Sequence, residues 1–347
     1  MRAIRVSVLG SFPVVFLFLF SQISSAQTYK VTDLGVLNST GVSEGVGINA
    51  TGEVVGYATP PTGVSGGAFL YNNGKLTNLG TLGGASSVAQ GINASGQVVG
   101  YSTLTTKSYG AFLYSGGVMT NIGTLGGAYA VAYAINGSGE IVGASMTASG
   151  LQHPFLYANG KMTDLGTLGS DTAGWTNEAT AVNSLGAVVG YSYLANGNFH
   201  AFLYSSGSMK DLGTLGGDWS EAYGINDSGQ ITGIAYTKGN VSGHAFLYSN
   251  GKMTDLGTIG NAPYTWGFGI NNSGVVVGQA DLNGPDYTLV YHAFIYSAGK
   301  MQDLNKLIPA NSGWVLSQAA AINNSGQITG YGTIKNEQHA FLLTPNP

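Results

Sequence analysis

The chain has 347 residues and no cysteine, so disulfide frameworks, thiolate chemistry and a lipid-anchor cysteine are excluded. Both of its arginines, Arg2 and Arg5, lie at the extreme N-terminus; the remainder carries ten lysines against 16 acidic residues, a formal charge of −6. A chain without clustered basic side chains cannot displace counterions from phosphate, which excludes nucleic acid as a partner, and the lack of arginine removes bidentate phosphate recognition.

The first 26 residues, MRAIRVSVLGSFPVVFLFLFSQISSA, combine a positive start, an apolar stretch from Val6 to Phe20 and small residues at Ser24, Ser25 and Ala26. The apolar part is too short for a membrane span and ends in a cleavage pattern, so residues 1–26 read as a secretory signal peptide. No later segment holds 18 uninterrupted apolar residues, and no transmembrane segment is expected in 27–347. A secreted, extracellular or periplasmic, monomeric protein is expected.

After the signal, TYKVTDLG occupies Thr28 to Gly35, and two phrases then alternate to the end. One is GINATGEVVGY from Gly47, repeated with variation around Asn49, Asn93, Asn136, Asn183, Asn226, Asn271 and Asn323. The other is HAFLYSSGSMKDLGTLGG from His200, with relatives from Gly66, Tyr109, His153, His244 and His292. The spacing of the asparagines, 43 to 52 residues, matches one four-stranded propeller blade per repeat. Within each repeat the G-I-N phrase ends a first strand, V-V-G-Y is a second, A-F-L-Y a third and K-M-T-D-L a fourth, with Asn/Gly/Ser turns between them. No helix-length amphipathic segment occurs.

The chain begins with a fourth-strand phrase and ends, at HAFLLTPNP, with a third strand that has no fourth after it. Complementary half-units at opposite ends suit a ring and not an open stack. The expectation is an all-β fold: a single seven-bladed β-propeller over 27–347, four antiparallel strands per blade, its last blade closed by the N-terminal strand in a 3+1 arrangement.

The repeat also absorbs the residues that look most chemical. His153, His200, His244, His292 and His339 share one repeat position, with Gly67 and Gly110 standing in for them. Equivalent residues on adjacent sheets lie roughly 10 Å apart, too far to converge on one metal ion. The D-L-G aspartates Asp33, Asp164, Asp211, Asp255 and Asp303 alternate with Asn78 and Asn121, which favours turn capping over acid–base work. No metal site and no cofactor is expected. Asp281 to Asp286 resembles a fragment of a calcium loop but lacks the closing Glu, so a polar surface loop is expected there.

Function is then sought outside the stamp, in the two longer connections of each repeat, which topology places on one face. Trp175, Trp219, Trp266 and Trp314 all fall in the D-L-G to G-I-N connections, with Asp171, Glu178, Asp218 and Glu221 among the neighbouring carboxylates. Aromatic faces beside short polar groups suit a polysaccharide, peptide or protein ligand, and these eight residues form the candidate binding set. Packing of each Trp between blades is the competing interpretation.

The alternation of HAFLYSNGKMTDLG with AINNSGQITGYG, and the ending DLNKLIPANSGW…HAFLLTP, resembles the HAF family of extracellular repeat proteins. The resemblance implies a secreted, bacterial protein and supplies no catalytic motif or cofactor. The leading expectation is a non-catalytic binding propeller. A carboxylate-dependent glycosidase or lyase built around Asp218 and Glu221 is one alternative; a purely structural envelope or matrix component is another.

Overall fold

A computed structural model describes residues 27–37, 41–60, 66–169, 174, 176–260, 262–283 and 289–347; the segment expected to be a signal peptide lies outside them. The all-β expectation holds: among the described residues every element is a strand apart from two single-turn 3-10 segments, Lys238–Asn240 and Leu304–Lys306. The repeat around Asn226 shows the pattern. Gly216–Ile225, Ile231–Thr237, Gly243–Ser249 and Lys252–Asp255 pair in sequence order, each antiparallel to the last. The same order recurs in the sheets that start at Val42–Ile48, Gly83–Ile92, Gly126–Ile135, Glu178–Val182 and Tyr264–Ile270, the last joined to its predecessor by one parallel pair, Gly243 with Tyr264.

The remaining sheet contains both chain ends. Trp314–Ile322, Ile328–Ile334 and Glu337–Pro345 pair in order, and Tyr29–Gly35 adds as the outer strand, with Val31 opposite Leu343 and Asp33 opposite Phe341. Residues 29–34 thus lie against 341–345.

The third-strand phenylalanines, Phe69, Phe112, Phe155, Phe202, Phe246, Phe294 and Phe341, are all fully buried. Each joins a cluster drawn from two successive sheets. Phe112 packs with Val55, Ala68 and Leu79 of the sheet before its own, and Phe69 packs with Leu34 and Ala340, which come from the sheet of the chain ends. Burying one such ring contributes about 2–3 kcal/mol, so the contact between sheets is where the repeat gains its stability.

The G-I-N asparagines are buried and do two things at once. In Asn226, Oδ1 accepts from the backbone N–H of Ser228 (3.1 Å) and Gln230 (2.9 Å), shaping the turn, while Nδ2 donates to the carbonyl of Asn271 (3.0 Å) in the next sheet. The same donation runs from Asn49 to Asn93, Asn93 to Asn136, Asn136 to Asn183, Asn183 to Asn226 and Asn271 to Asn323. Asn323 donates to Asn49 at 3.0 Å, so the hydrogen bonds form a circuit. Positive φ occurs at Asn73, Asn159 and Asn250 of the outer hairpins, whereas the G-I-N asparagines act through their amides.

The histidines hold the outer strands. His153 Nδ1 lies 2.8 Å from Asp164, and His200–Asp211, His244–Asp255 and His292–Asp303 repeat the pair at 2.8–2.9 Å. Each aspartate also accepts from the backbone N–H two residues on, as in Gly213 N–H to Asp211 at 2.7 Å. His339 pairs with Asp33 at 2.9 Å across the chain ends. Where the histidine is replaced, by Gly67 and Gly110, the facing aspartate is replaced too, by Asn78 and Asn121, and a Cβ on either glycine would stand only 3.0–3.1 Å from the asparagine amide.

Candidate functional site

The first strand of every sheet faces a common central cavity of about 520 Å³. Residues one, two, three and five positions before the G-I-N asparagine contribute to the cavity lining, while the small residue four before, such as Ala132, Ala179 and Ala222, is fully buried. Those one position before form an aliphatic collar that includes Ile48, Ile92, Ile225, Ile270 and Ile322. Three before stand Gln90, Tyr133, Thr180, Tyr223 and Phe268; five before stand Glu178, Glu221 and Gln318. Among the described residues no basic side chain lines the cavity.

A register shift in each first strand seats these residues, between Ala179 and Ala181 and between Ala222 and Gly224. The bulged strand presses its carbonyl onto the glycine of V-V-G opposite. A Cβ on Gly190 would come within 1.9 Å of the Glu178 carbonyl oxygen, and one on Gly233 within 1.9 Å of that of Glu221. Only glycine permits this approach.

Glu178 and Glu221 therefore share one wall, on neighbouring sheets. The phenolic hydroxyls of Tyr133 and Tyr191 hydrogen-bond to Glu178, and Gln152 Nε2 donates to its Oε1 at 3.1 Å. Gln152 is itself fixed by the hydroxyl of Tyr129. Glu221 accepts from Tyr223. Burial pushes the Glu221 carboxyl above the usual carboxylate range, the Tyr223 hydrogen bond opposes that, and the nearby charge of Glu178 adds to it. Burial, reinforced by the same two carboxylates, raises the Tyr191 and Tyr223 phenols, which stay protonated donors. A third glutamate, Glu44, is held by Tyr57 and by Gln338 Nε2 at 2.8 Å.

A continuous aromatic belt starts at this wall. Tyr191 meets Phe199 at 5.9 Å, Phe199 meets Trp219 at 4.9 Å, and Trp219 meets Tyr236 at 5.5 Å. Tyr236 meets Tyr264 at 6.1 Å and Tyr264 stacks on Trp266 at 5.9 Å. Trp219, at 42% exposure, is the open face of the belt, while Trp266 is partly buried at the position five before Asn271. The rings come from first, second and third strands of three sheets, so no single stretch of sequence announced them.

The candidate set is thus divided. Trp219, Trp266, Glu178 and Glu221 meet at the belt and cavity. Trp314, expected on the binding face, is instead 8% exposed and packs edge-on to Phe341 at 6.0 Å among Tyr29, Leu307 and Leu316. It opens a strand, Trp314–Ile322, and is not in a loop; Trp219 and Trp266 are likewise within strands. Asp218 does not pair with Glu221. It is exposed and bound to Asn240, whose Nδ2 donates to Asp218 Oδ2 at 2.6 Å, while Glu221 turns into the cavity. The carboxylate that shares a site with Glu221 is Glu178. Trp175 and Asp171 lie outside the described residues, as does Asp286. Asp281 is buried within Val276–Asn283, its Oδ1 without a partner among the described residues, and not on a surface loop.

Among the described residues no three His, Asp or Glu side chains are grouped to hold a metal ion, and no helix is long and apolar enough to cross a membrane.

No protein-family model and no curated protein matches the chain. Among solved structures it is similar to the β-propeller domain of the Trilobed protease from Pyrococcus furiosus, at TM-score 0.58 and 7% identity over 89% of this chain and 94% of that one. That domain is described as having an open velcro topology; here Tyr29–Gly35 pairs with Glu337–Pro345. The chain is also similar to a puromycin-hydrolyzing peptidase of Mycobacterium tuberculosis (TM-score 0.55, 11% identity, 86% of this chain and 51% of that). An acylaminoacyl peptidase of Pyrococcus horikoshii matches at TM-score 0.53 and 9% identity, over 90% of this chain and 53% of that. The chain spans about half the length of these two peptidases. At such identities the likeness establishes the fold, a β-propeller. It also corrects the expectation that the chain is not an enzyme: propellers of this shape occur in enzymes, so a stamp-like repeat is no argument against catalysis.

Proposed function

We propose that the chain is a closed seven-bladed propeller of the HAF type, exported after removal of residues 1–26, that binds an oligosaccharide along the aromatic belt and at the cavity it borders. Closure is supported by the pairing of Val31 with Leu343, by the packing of Phe69 with Ala340 and by the return of the asparagine circuit from Asn323 to Asn49.

The observation that carries the ligand assignment is the belt itself, six rings in contact from Tyr191 to Trp266 with Trp219 open to solvent. Sugar rings lay their C–H faces on aromatic faces, and their hydroxyls then need acceptors and donors, which Glu178, Glu221, Gln90 and Thr180 provide. With carboxylates and no basic side chain among the described residues of the lining, a sugar free of carboxylate and sulfate fits this site better than an anionic one.

The mature chain, applied to an array of neutral polysaccharides, is expected to be retained on at least one. Trp219→Ala should weaken that retention about tenfold, equivalent to roughly 1.4 kcal/mol, with an unchanged melting temperature. Retention on none, or retention indifferent to Trp219, overturns the assignment.

A further inference from the structure

We propose that the site is hydrolytic: Glu221 and Glu178 cleave the glycosidic bond of the neutral oligosaccharide held there, an inference that rests on the binding reading above. The geometry behind it is the meeting of two carboxyl groups from neighbouring sheets in one cavity, at the end of the aromatic belt. At the equivalent position the other sheets carry Glu44, Val88, Val131, Trp266 and Gln318, and Glu44 is flanked by Gln318 and Val88, so Glu178 and Glu221 are the carboxyls that stand on successive sheets.

The two carboxyls have different surroundings. Glu178 is met by three donors, Tyr133, Tyr191 and Gln152. Glu221 is met by one, Tyr223, and faces the Glu178 charge, and burial keeps its proton on at higher pH than an ordinary glutamate. A buried carboxyl that keeps its proton, set beside a second carboxyl in one cavity, offers an acid and a base in the same site.

The step balances as follows. Glu221 gives its proton to the glycosidic oxygen as the bond from that oxygen to the anomeric carbon breaks. The Glu178 carboxylate takes a proton from a water whose oxygen bonds to the anomeric carbon. One water is consumed, two hydroxyl-ended sugars form, and proton exchange between the two carboxyls and solvent restores the starting state. No metal, cofactor or oxidant enters.

The test uses the mature chain with the neutral polysaccharides that retain it and with 2,4-dinitrophenyl glycosides of common hexoses and pentoses. Reducing ends are expected to appear from a retained polysaccharide. Glu221→Gln and Glu178→Gln should each reduce that rate, at saturating polysaccharide, by about 10²–10⁴-fold. Dinitrophenolate leaves without protonation, so Glu221→Gln should recover most of the wild-type rate on the aryl glycoside and Glu178→Gln should not; a purely structural role for either residue would move both substrates together. Retention without any release of reducing ends overturns hydrolysis and leaves binding standing. Retention on no glycan removes both readings. Turnover unaffected by either substitution overturns the residue assignment.

Discussion

Asn226→Ala probes the asparagine circuit at a residue only 3% exposed. Four side-chain hydrogen bonds disappear: those from Ser228 N–H and Gln230 N–H to Oδ1, and those from Nδ2 to Gln230 Oε1 (2.8 Å) and to the Asn271 carbonyl (3.0 Å). Each is worth about 1 kcal/mol net, and the stranded partners of a buried pair lose more, so the loss should be about 3–5 kcal/mol. Asn272→Ala serves as the control, because its contacts, to Asp227 and Asn324, lie at the exposed surface and should be worth under about 1 kcal/mol. Asn226→Asp sharpens the argument. It retains both turn acceptors but sets a carboxylate oxygen against the Asn271 carbonyl and Gln230 Oε1, so it should be at least as destabilising as Ala near neutral pH and recover on acidification, when the carboxyl can donate. Urea unfolding at 25 °C reads all three as shifts in midpoint at constant slope. If Asn226→Ala unfolds within about 0.5 kcal/mol of the native chain, the circuit is decoration and the sheets are held by the phenylalanine clusters alone.

Removing residues 27–36 should expose the unpaired edge of the last sheet and unbury Tyr29 and Leu34, two side chains worth about 1.5–3 kcal/mol each; gel filtration should then show association, and a monodisperse, equally stable truncation would argue against closure by this strand. His200→Gly with Asp211→Asn recreates the pairing that Gly67 makes with Asn78, so a double-mutant cycle should give a favourable coupling near 1 kcal/mol, and strict additivity would deny that the two positions act as a unit. Glu221 has its pKa raised on folding, by burial first, so its contribution is fully present below the unfolded glutamate value and is lost as pH rises through the folded one. Glu221→Gln should accordingly flatten the fall in stability above about pH 4, and an unchanged pH slope would place the titration elsewhere. Asp303 behaves in the opposite sense: burial raises it, but the His292 pair and the Asn305 N–H outweigh that and hold it low, so its stabilisation should fade as pH falls and be absent in Asp303→Asn.

The strands, their order and the meeting of the two chain ends were legible because each rests on local chemistry repeated many times: Val-Val beside Gly, Ala-Phe-Leu-Tyr, Asn-Gly turns. The site was only half legible. Trp219 and Trp266 belong to the same kind of connection but stand seven and five positions before their asparagines, and Trp314 nine before Asn323. All three offsets are odd, so alternation alone does not separate them; the strand that Trp314 opens carries a further register shift between Leu316 and Gln318, and in the sequence these segments looked like loops. The signal that was present concerns the carboxylates. Glu44, Glu178 and Glu221 each stand five positions before a G-I-N asparagine, a register that places them on the channel side with Tyr133 and Tyr223 two positions nearer the turn. Phe199, Tyr236 and Tyr264 could not be found in this way, because they join the belt through contacts between sheets that no single repeat encodes.

A uniform repeat and a specific site are usually opposed, and here the first makes the second possible. The asparagine amides and the histidine–aspartate pairs satisfy their polar groups within the scaffold, which leaves the inward positions of the first strands free to vary without loss of the fold. Six of the seven positions adjoining the asparagine are isoleucine, yet two residues further up the same strands the side chains range from Ala320 and Val46 to Tyr133 and Phe268. The symmetry therefore decays along the channel, from the collar toward the belt. A ligand that is itself asymmetric can be recognised only where that decay has gone far enough, which is the level of Glu178, Glu221 and Trp266.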